Sequence, residues 1–577
     1  NALLGVFTPY DERAFPVDAE VRHWQWDSYA QDSWRLSPRF TMDYGLRVTH
    51  HGAVYETREM NSAFDPDLWK ANQAAVLYRP FCRPSGVAGN QACAANNRAA
   101  INPINGNIVS QSFVGTVVPG SGDIANGQFT GGLPGKKSGW YYDMPALSWA
   151  PRFGIAWDVT GDQKTAIRAS GGIFYNFINR SQYLYNGGPL VSQVRSVLNS
   201  TLDELDDVAR VGNLVVSPQQ VNIPAGFDIP MHGEQMPQGK LQPEKNYQGN
   251  VAFQRDIGFK TVAEVVWVGN FGRHSWRTKT ANNIAPYAYG KVENLFRNEP
   301  INANFLRRDY PGLGAIRYLT TDDEILNYNA LQLSVNRRLD HGLQMGLAYT
   351  LSKAEGLQGW DYLTEELYGK QGIRDRYYGP PSVSQTQDRR HILVLHYSYA
   401  LPNPTPGVPV MKWVLDGWEA SGVTQFTTGN PLDPVCNTNL AGVENTDPSL
   451  SGITGAPNLR CELTGDPIFS GYTPNTSVPD AFQVHFNPAA FRRALPSNGI
   501  GNLRNAPMGV LRHASWWNWE FTLSRRIPVK VPGAARGGNV RIQLQLYNMW
   551  DAVEFTQMAA TYTFSATGNT NATTGQY

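Results

Sequence analysis

The chain has 577 residues, of which 17% are charged, 41% apolar and 12% aromatic, and its acidic and basic side chains nearly cancel at a net charge of +1. That content is too apolar for a disordered chain, its 55 glycines and 38 prolines follow no collagen period, and the balanced charge gives no electrostatic case for a nucleic-acid partner. No apolar run reaches transmembrane-helix length, which excludes a helical membrane protein but leaves open a membrane β-barrel, whose alternating strands average to a polar composition.

In chain order, the opening heptapeptide Asn1 to Phe7 has neither the basic start nor the apolar length of a signal peptide, so the N-terminus reads as a cut. The first hairpin follows over 24–34 and 40–48, turning at Leu36-Ser37-Pro38. In its second strand Phe40, Met42, Tyr44, Leu46 and Val48 alternate with Thr41, Asp43, Gly45, Arg47 and Thr49. Residues 50–150 read as a long irregular connection rich in Gly, Asn, Pro and aromatics. It contains His50/His51, an adjacent pair without a third ligand that reads as surface histidine, then Cys82 and Cys93, then Trp140-Tyr141-Tyr142. A second hairpin spans 151–157 and 165–175, and a second long connection covers 177–245. A third hairpin over 247–254 and 261–269 flanks Asp256-Ile257-Gly258. The connection 270–327 ends in the acidic triplet Asp322-Asp323-Glu324, which has no calcium-loop spacing and reads as a solvated acidic loop.

The fourth hairpin, 328–336 and 343–352, has Leu343, Met345, Leu347, Tyr349 and Leu351 on one face. Residues 354–388 connect onward and carry Trp360-Asp361-Tyr362, Glu365/Glu366 and Arg374-Asp375-Arg376-Tyr377-Tyr378. The fifth hairpin, 390–401 and 418–427, has a longer Pro-rich turn. It is followed by the connection 428–514, with Cys436 and Cys461, and by a sixth hairpin over 516–524 and 540–548. Neither cysteine pair has CxxC spacing or a neighbouring His, so a zinc site is disfavoured. Two loop-stapling disulfides, Cys82–Cys93 and Cys436–Cys461, in an oxidising compartment stand against four unrelated buried thiols.

Short turns therefore alternate with long connections, and in an antiparallel sheet this puts all long loops at one end. That asymmetry, strands of nine to eleven residues, and aromatics near strand ends predict an all-β antiparallel transmembrane barrel with long extracellular loops. A soluble sandwich also alternates, and under that reading the tryptophans would be core.

Several stretches resemble a known family, the Oar-like TonB-dependent outer-membrane transporters, which carry a carboxypeptidase-regulatory-like domain. They include Tyr29-Ala30-Gln31-Asp32-Ser33-Trp34-Arg35, Pro151-Arg152-Phe153-Gly154-Ile155-Ala156-Trp157-Asp158 and Gly171-Gly172-Ile173-Phe174-Tyr175. Others are Tyr328-Asn329-Ala330-Leu331-Gln332-Leu333, Asp388-Arg389-Arg390-His391, Phe486-Asn487-Pro488-Ala489-Ala490-Phe491 and Trp517-Asn518-Trp519. The resemblance implies a 22-stranded barrel closed by an N-terminal plug and coupled through a TonB box to an inner-membrane motor. About twelve strands are legible here, without plug, regulatory domain or TonB box. Residues 1–577 are thus expected to be the C-terminal part of such a barrel, set in outer-membrane lipid and reaching the TonB-type energy-coupling protein through a segment outside the chain.

No catalytic constellation, cofactor motif or metal site stands out, and Glu365/Glu366 with Asp361 have no pocket to make them an acid–base pair. The expectation is a non-enzymatic transporter whose loop residues Trp140, Tyr141, Tyr142, Trp360, Asp361, Tyr362, Arg374, Arg376, Tyr377 and Tyr378 capture an oligosaccharide, peptide or metal chelate. The same residues could equally pack loop against loop. A structural or adhesive surface protein on this scaffold, or a soluble carbohydrate-binding protein, are the alternatives.

Overall fold

An alternating strand is satisfied only where its amides find partners and its two faces find two different surroundings. In the computed structural model, twelve long strands meet the first condition in one antiparallel sheet. They are β1 (Gln25–Ser37), β2 (Phe40–His51), β3 (Ser148–Asp158), β4 (Thr165–Tyr175), β5 (Lys245–Gly258) and β6 (Thr261–Ala281). They continue with β7 (Ile316–Asp340), β8 (Leu343–Gly356), β9 (His391–Ala400), β10 (Trp418–Thr427), β11 (Trp516–Val529) and β12 (Gly538–Leu546). The structure describes residues 9–13, 20–57, 62–83, 93, 97–130, 142–176, 194–198, 233–235, 239–282, 303–307, 309–314, 316–356, 388–402, 414–432, 435–437, 462–469, 486–492, 510–529, 538–552 and 561–563.

Each strand pairs with its neighbours in sequence, so the sheet is an uninterrupted up-and-down meander. All six hairpins read from the alternation are present as antiparallel ladders. Among the described residues β1 pairs only with β2 and β12 only with β11, so the sheet is an open sector of barrel wall. No described helix is long and apolar enough to cross a membrane; the crossing elements are strands.

The tight turns have the backbone that twisted hairpins require. His341 and Gly342 between β7 and β8 both have positive φ, 49° and 77°, which matches the strand twist and suits glycine at the second position. At the β3–β4 turn the Asp158 carboxylate accepts from the amides of Gly161 and Gln163, at 2.9 and 3.1 Å. The remaining connections, 52–147, 176–244, 282–315, 357–390 and 428–515, all leave from the opposite end of the sheet.

Two expected loops differ from their sequence reading. The two ends of 270–327 are strand, because β6 runs on to Ala281 and β7 begins at Ile316. The ladder between them shifts register at Arg273/Ser275, Ser275/Arg277 and Arg277/Thr278, and His274 has a φ of 58°. Each bulge inserts a residue and reverses which parity faces outward, so period-two alternation disappears although pairing continues. The triplet Asp322-Asp323-Glu324 accordingly lies within β7, not in a loop. Likewise 50–150 is not irregular around Cys82. Arg79–Cys82, Arg98–Ile101 and Ile108–Ser110 form a three-stranded sheet, and Ser62–Phe64 pairs with Gln128–Thr130. Strands of three or four residues are too short for alternation to register.

The register fixes the two faces of the wall. One face carries Trp34, Leu46, Phe153, Trp157, Val251, Phe253, Val265, Trp267, Leu331, Leu351, Trp517, Ile542 and Leu544. All of these stand between 38% and 59% exposed, with no second layer over them among the described residues. The tryptophans are thus not the core of a sandwich. A continuous, uncovered apolar face across twelve strands is the lipid face of a barrel. The opposite face presents Asp27, Arg47, Arg168, Ser170, Asn250, Gln254, Glu264, Ser334, Glu419 and Ser524 toward the lumen.

Val265 and Val266 are adjacent on β6 and face lipid and lumen respectively. Val265→Arg is expected to destabilise the folded protein in lipid vesicles by about 2–4 kcal/mol, while Val266→Arg costs under about 1 kcal/mol. Urea titration of vesicle-inserted protein measures the difference.

Candidate functional site

The lumen face is held by cross-strand polar pairs. Arg47 and Asp27 form an ion pair at 2.9 Å, Asn250 donates to Ser170 at 2.8 Å, and Ser398 donates to Glu419 at 2.6 Å. Arg168 reaches both Gln254 and Glu264. These side chains satisfy each other across neighbouring strands and leave a hydrophilic, hydrogen-bonding wall.

At the long-loop end, the extended tips of β6 and β7 carry a folded cap. A β-strand rises about 3.3 Å per residue, so 21 and 25 residues are far more than the nine to eleven that a tilted crossing consumes. Ile316, at the outer end of β7, is fully buried with Phe64 and Leu313, and Trp69 and Tyr310 pack against them. Ala75, Leu77 and Val117 form a second cluster, with Phe305 and Ile124 at its margin. A third contains Tyr78, Ala100, Val114, Val118 and the disulfide-bonded Cys82 and Cys93.

Asn282, fully buried just after β6, fastens the cap. Its side-chain amide donates to the carbonyls of Tyr310 and Gly314, at 2.9 and 2.8 Å, and its Oδ1 accepts from the Tyr310 amide at 2.9 Å. The adjoining turn needs glycine at 312, where φ is +87° and a Cβ would sit 2.6 Å from the Ala75 carbonyl oxygen. Arg307 donates to the Asn282 carbonyl at 2.6 Å and to Asn304 Oδ1 at 2.7 Å. Burial pulls its guanidinium down to about 10, so it is charged at neutral pH.

A second junction joins the connections above β8 to β11. The Asp388 carboxylate is fully buried and accepts from the Ala354 amide at 2.8 Å and from Arg512 Nη2 at 2.6 Å, with Arg390 Nε at 3.7 Å. Arg512 also donates to the Gly429 carbonyl at 3.2 Å. Ser352 donates to the Arg389 carbonyl at 2.7 Å, and the His391 amide donates to Thr428 Oγ1 at 3.1 Å. Strand ends that would otherwise leave buried amides without partners are closed by one acid and one arginine. A further small core, Phe486, Ala490, Phe491 and Leu511, packs beside it.

Of the residues singled out in the sequence, Tyr142 begins a two-residue strand, Tyr142–Asp143, that pairs in parallel with Gly239–Lys240. Trp140, Tyr141, Trp360, Asp361, Tyr362, Arg374, Arg376, Tyr377 and Tyr378 lie outside the described residues, as do Glu365 and Glu366. Cys436 lies in Val435–Asn437, paired in parallel with Thr561–Thr563, while Cys461 is outside the described residues. His50 Nδ1 lies 2.7 Å from the Ala146 carbonyl oxygen and its ring stacks on Trp26. Among the described residues no group of three His, Cys, Asp or Glu is placed to hold a metal ion. Sequence reasoning missed Asn282 and Arg512; the Asp388-Arg389-Arg390-His391 string was a visible signal, but its partner is 124 positions away.

A meander with a lipid face, a hydrophilic lumen face and a folded cap on its long-loop end defines an outer-membrane barrel wall. The family described as "Outer membrane beta barrel domain" matches residues 1–577, and the chain belongs to that family and to the outer membrane. No curated protein matches it. Among solved structures it is similar to the outer membrane transporter YddB from Escherichia coli, at 10% identity and a TM-score of 0.35, with 95% of this chain and 52% of that chain covered. It is similar to the ferric-catecholate import receptor Fiu from K12 E. coli at 9% identity and 0.33, with 97% and 44% covered. For the ferric yersiniabactin uptake receptor FyuA from Yersinia pestis the values are 7% and 0.32, with 92% and 41% covered. The chain thus spans about half the length of these proteins, or less.

Asp388→Ala is expected to cost about 3 kcal/mol, the low end for a broken buried pair because Arg512 stays partly hydrated. Hydrogen exchange at 388–391 and 510–515 should quicken, while β1–β4 stay protected. The same junction is acid-sensitive at His513, where burial and then the Arg389 charge hold the imidazole below its usual range. Unfolded, this group takes a proton near 6.5. Its share of stability is therefore full above that pH and is lost as pH falls from there to the depressed folded value. His513→Gln should flatten the corresponding acid limb of exchange at 510–515.

Proposed function

We propose that this chain forms barrel wall and external cap of a TonB-dependent outer-membrane transporter that captures a ligand at its long loops and passes it along the lumen. The observation that carries the reading is the pairing of a hydrophilic lumen face with a folded, disulfide-linked cap at the end from which the five longest connections depart. Family membership and the resemblance of the 20–560 region to Oar-like transporters support it. The chain acts by binding and conduction, without catalysis. Further strands of the same barrel cover the edges of β1 and β12, because unpaired amides cannot stand in hydrocarbon. Energy coupling comes from a TonB-type protein acting outside these strands.

Ligand contact is assigned to the loop groups that combine flat rings with charges: Trp140, Tyr141 and Tyr142; Trp360, Asp361 and Tyr362; and Arg374, Arg376, Tyr377 and Tyr378. Rings offer area at low entropic cost and the charged groups fix orientation, which fits an oligosaccharide, a peptide or an anionic metal chelate. In the source bacterium, deleting the gene should abolish uptake of one of these three substrate classes, and deleting the energy-coupling protein should do the same. Arg374→Ala with Arg376→Ala should weaken uptake at least about tenfold, the loss of one charged hydrogen bond or more. Unchanged uptake of all three classes alongside reduced surface attachment would replace transport with adhesion.

A further inference from the structure

The lipid face of β3–β6 is not uniformly convex. A groove of about 440 Å³ opens on it, walled by Pro151, Phe153, Ile173, Tyr247, Trp267 and Phe271. That volume lies within the range of about 300–1,000 Å³ typical of small-molecule sites. Its floor is low because Gly171, Gly249 and Gly269 are directly opposite one another on three adjacent strands. At Gly171 and Gly269 the missing Cβ makes room for wall rings, with Phe153 and Trp267 at 3.0 and 2.8 Å from where it would stand. At Gly249 the nearest ring atom is 4.0 Å away, so this position is open to an occupant.

Above the groove the chemistry changes abruptly. Lys245 and Arg273 are cross-strand partners, and each lies two residues along its strand from a groove wall residue, Tyr247 and Phe271 respectively. Side chains two apart on a strand share a face, so both cations stand on the outward side about 7 Å beyond the ring wall, toward the long loops. Like charges directly opposite on a sheet repel. Among the described residues neither makes an ion pair: Lys245 donates to Gln242 at 3.0 Å, and Arg273 donates to Asn327 Oδ1 at 2.9 Å and to the Gly272 and Leu326 carbonyls at 2.7 and 3.2 Å. A membrane-facing cation pair with no counter-charge among the described residues, set over an apolar groove, complements one kind of molecule.

We propose that this surface is a specific site for a phosphate-bearing lipid of the outer leaflet, with its phosphate between Lys245 and Arg273 and an acyl chain in the groove below. The surroundings supply the occupant, since the face is continuous with the lipid-covered wall and the cations stand at its outer rim. The phosphate neutralises a pair that otherwise repels, and the groove gives a chain more contact than a flat wall offers. The inference does not depend on the transport reading.

The test uses the protein extracted from membranes in non-ionic detergent and incubated with dioleoyl phosphatidic acid or dioleoyl phosphatidylcholine, with retained lipid counted by native mass spectrometry. Phosphatidic acid should be retained about thirtyfold more strongly, the preference expected of two cations near a membrane surface. Lys245→Glu should erase that preference yet raise the melting temperature in lipid-free detergent, because it turns the repelling pair into an attractive one. A variant that merely damaged the fold would lower it. Gly249→Leu, which fills the groove, should weaken retention of both lipids and leave the headgroup preference intact. Equal retention of the two lipids by the unmodified protein, an undiminished preference in Lys245→Glu, or full displacement by inorganic phosphate would each overturn the proposal.

Discussion

Hydrocarbon gives a peptide group nothing to bond to, and the unbroken ladder from β1 to β12 is the response on which the rest of this protein depends. Once the amides are paired strand to strand, side chains are free to specialise by face, and the sequence does so almost residue by residue. Tyr247, Gly249, Val251 and Phe253 meet lipid, while Gln248, Asn250 and Gln254, from the same strand, meet the lumen. The hairpin turns then sit at one rim, and the five longest connections leave from the other.

That division explains which parts of the fold were legible. Lipid on one side and water on the other impose the sharpest contrast a strand can have, so β2, β5, β8 and β11 announce themselves in alternation alone. Legibility fails where the strands leave the membrane. Past Arg273 the ladder of β6 and β7 survives through bulges, and the two-residue rhythm does not. The cap is harder still, because its clusters unite residues such as Phe64 with Leu313 and Ile316, which share no local pattern. The Asp388-Arg389-Arg390-His391 string is conspicuous, but nothing local says that Arg512 completes it. The proposed ligand-contact groups are legible only as composition, flat rings beside charges.

The cap and the wall are mechanically one piece. β6 and β7 stay paired, through three bulges, from the lipid zone into the base of the cap, and Asn282 and Ile316 are buried where they arrive. The cap is therefore joined to the wall through two paired strands as well as through its connections. The disulfide between Cys82 and Cys93 secures its far side, against Tyr78 and Val114.

The Asp388–Arg512 clasp sets an order on assembly. Its two halves lie 124 positions apart and come within reach only after β11 has zipped onto β10. Until then the chain must carry both segments as open loops, and the entropy of closing them is recovered in a single late step. The latch thus sits at the long-loop rim, and a chain in which β11 is not paired with β10 leaves that rim open, exposing a buried carboxylate to water.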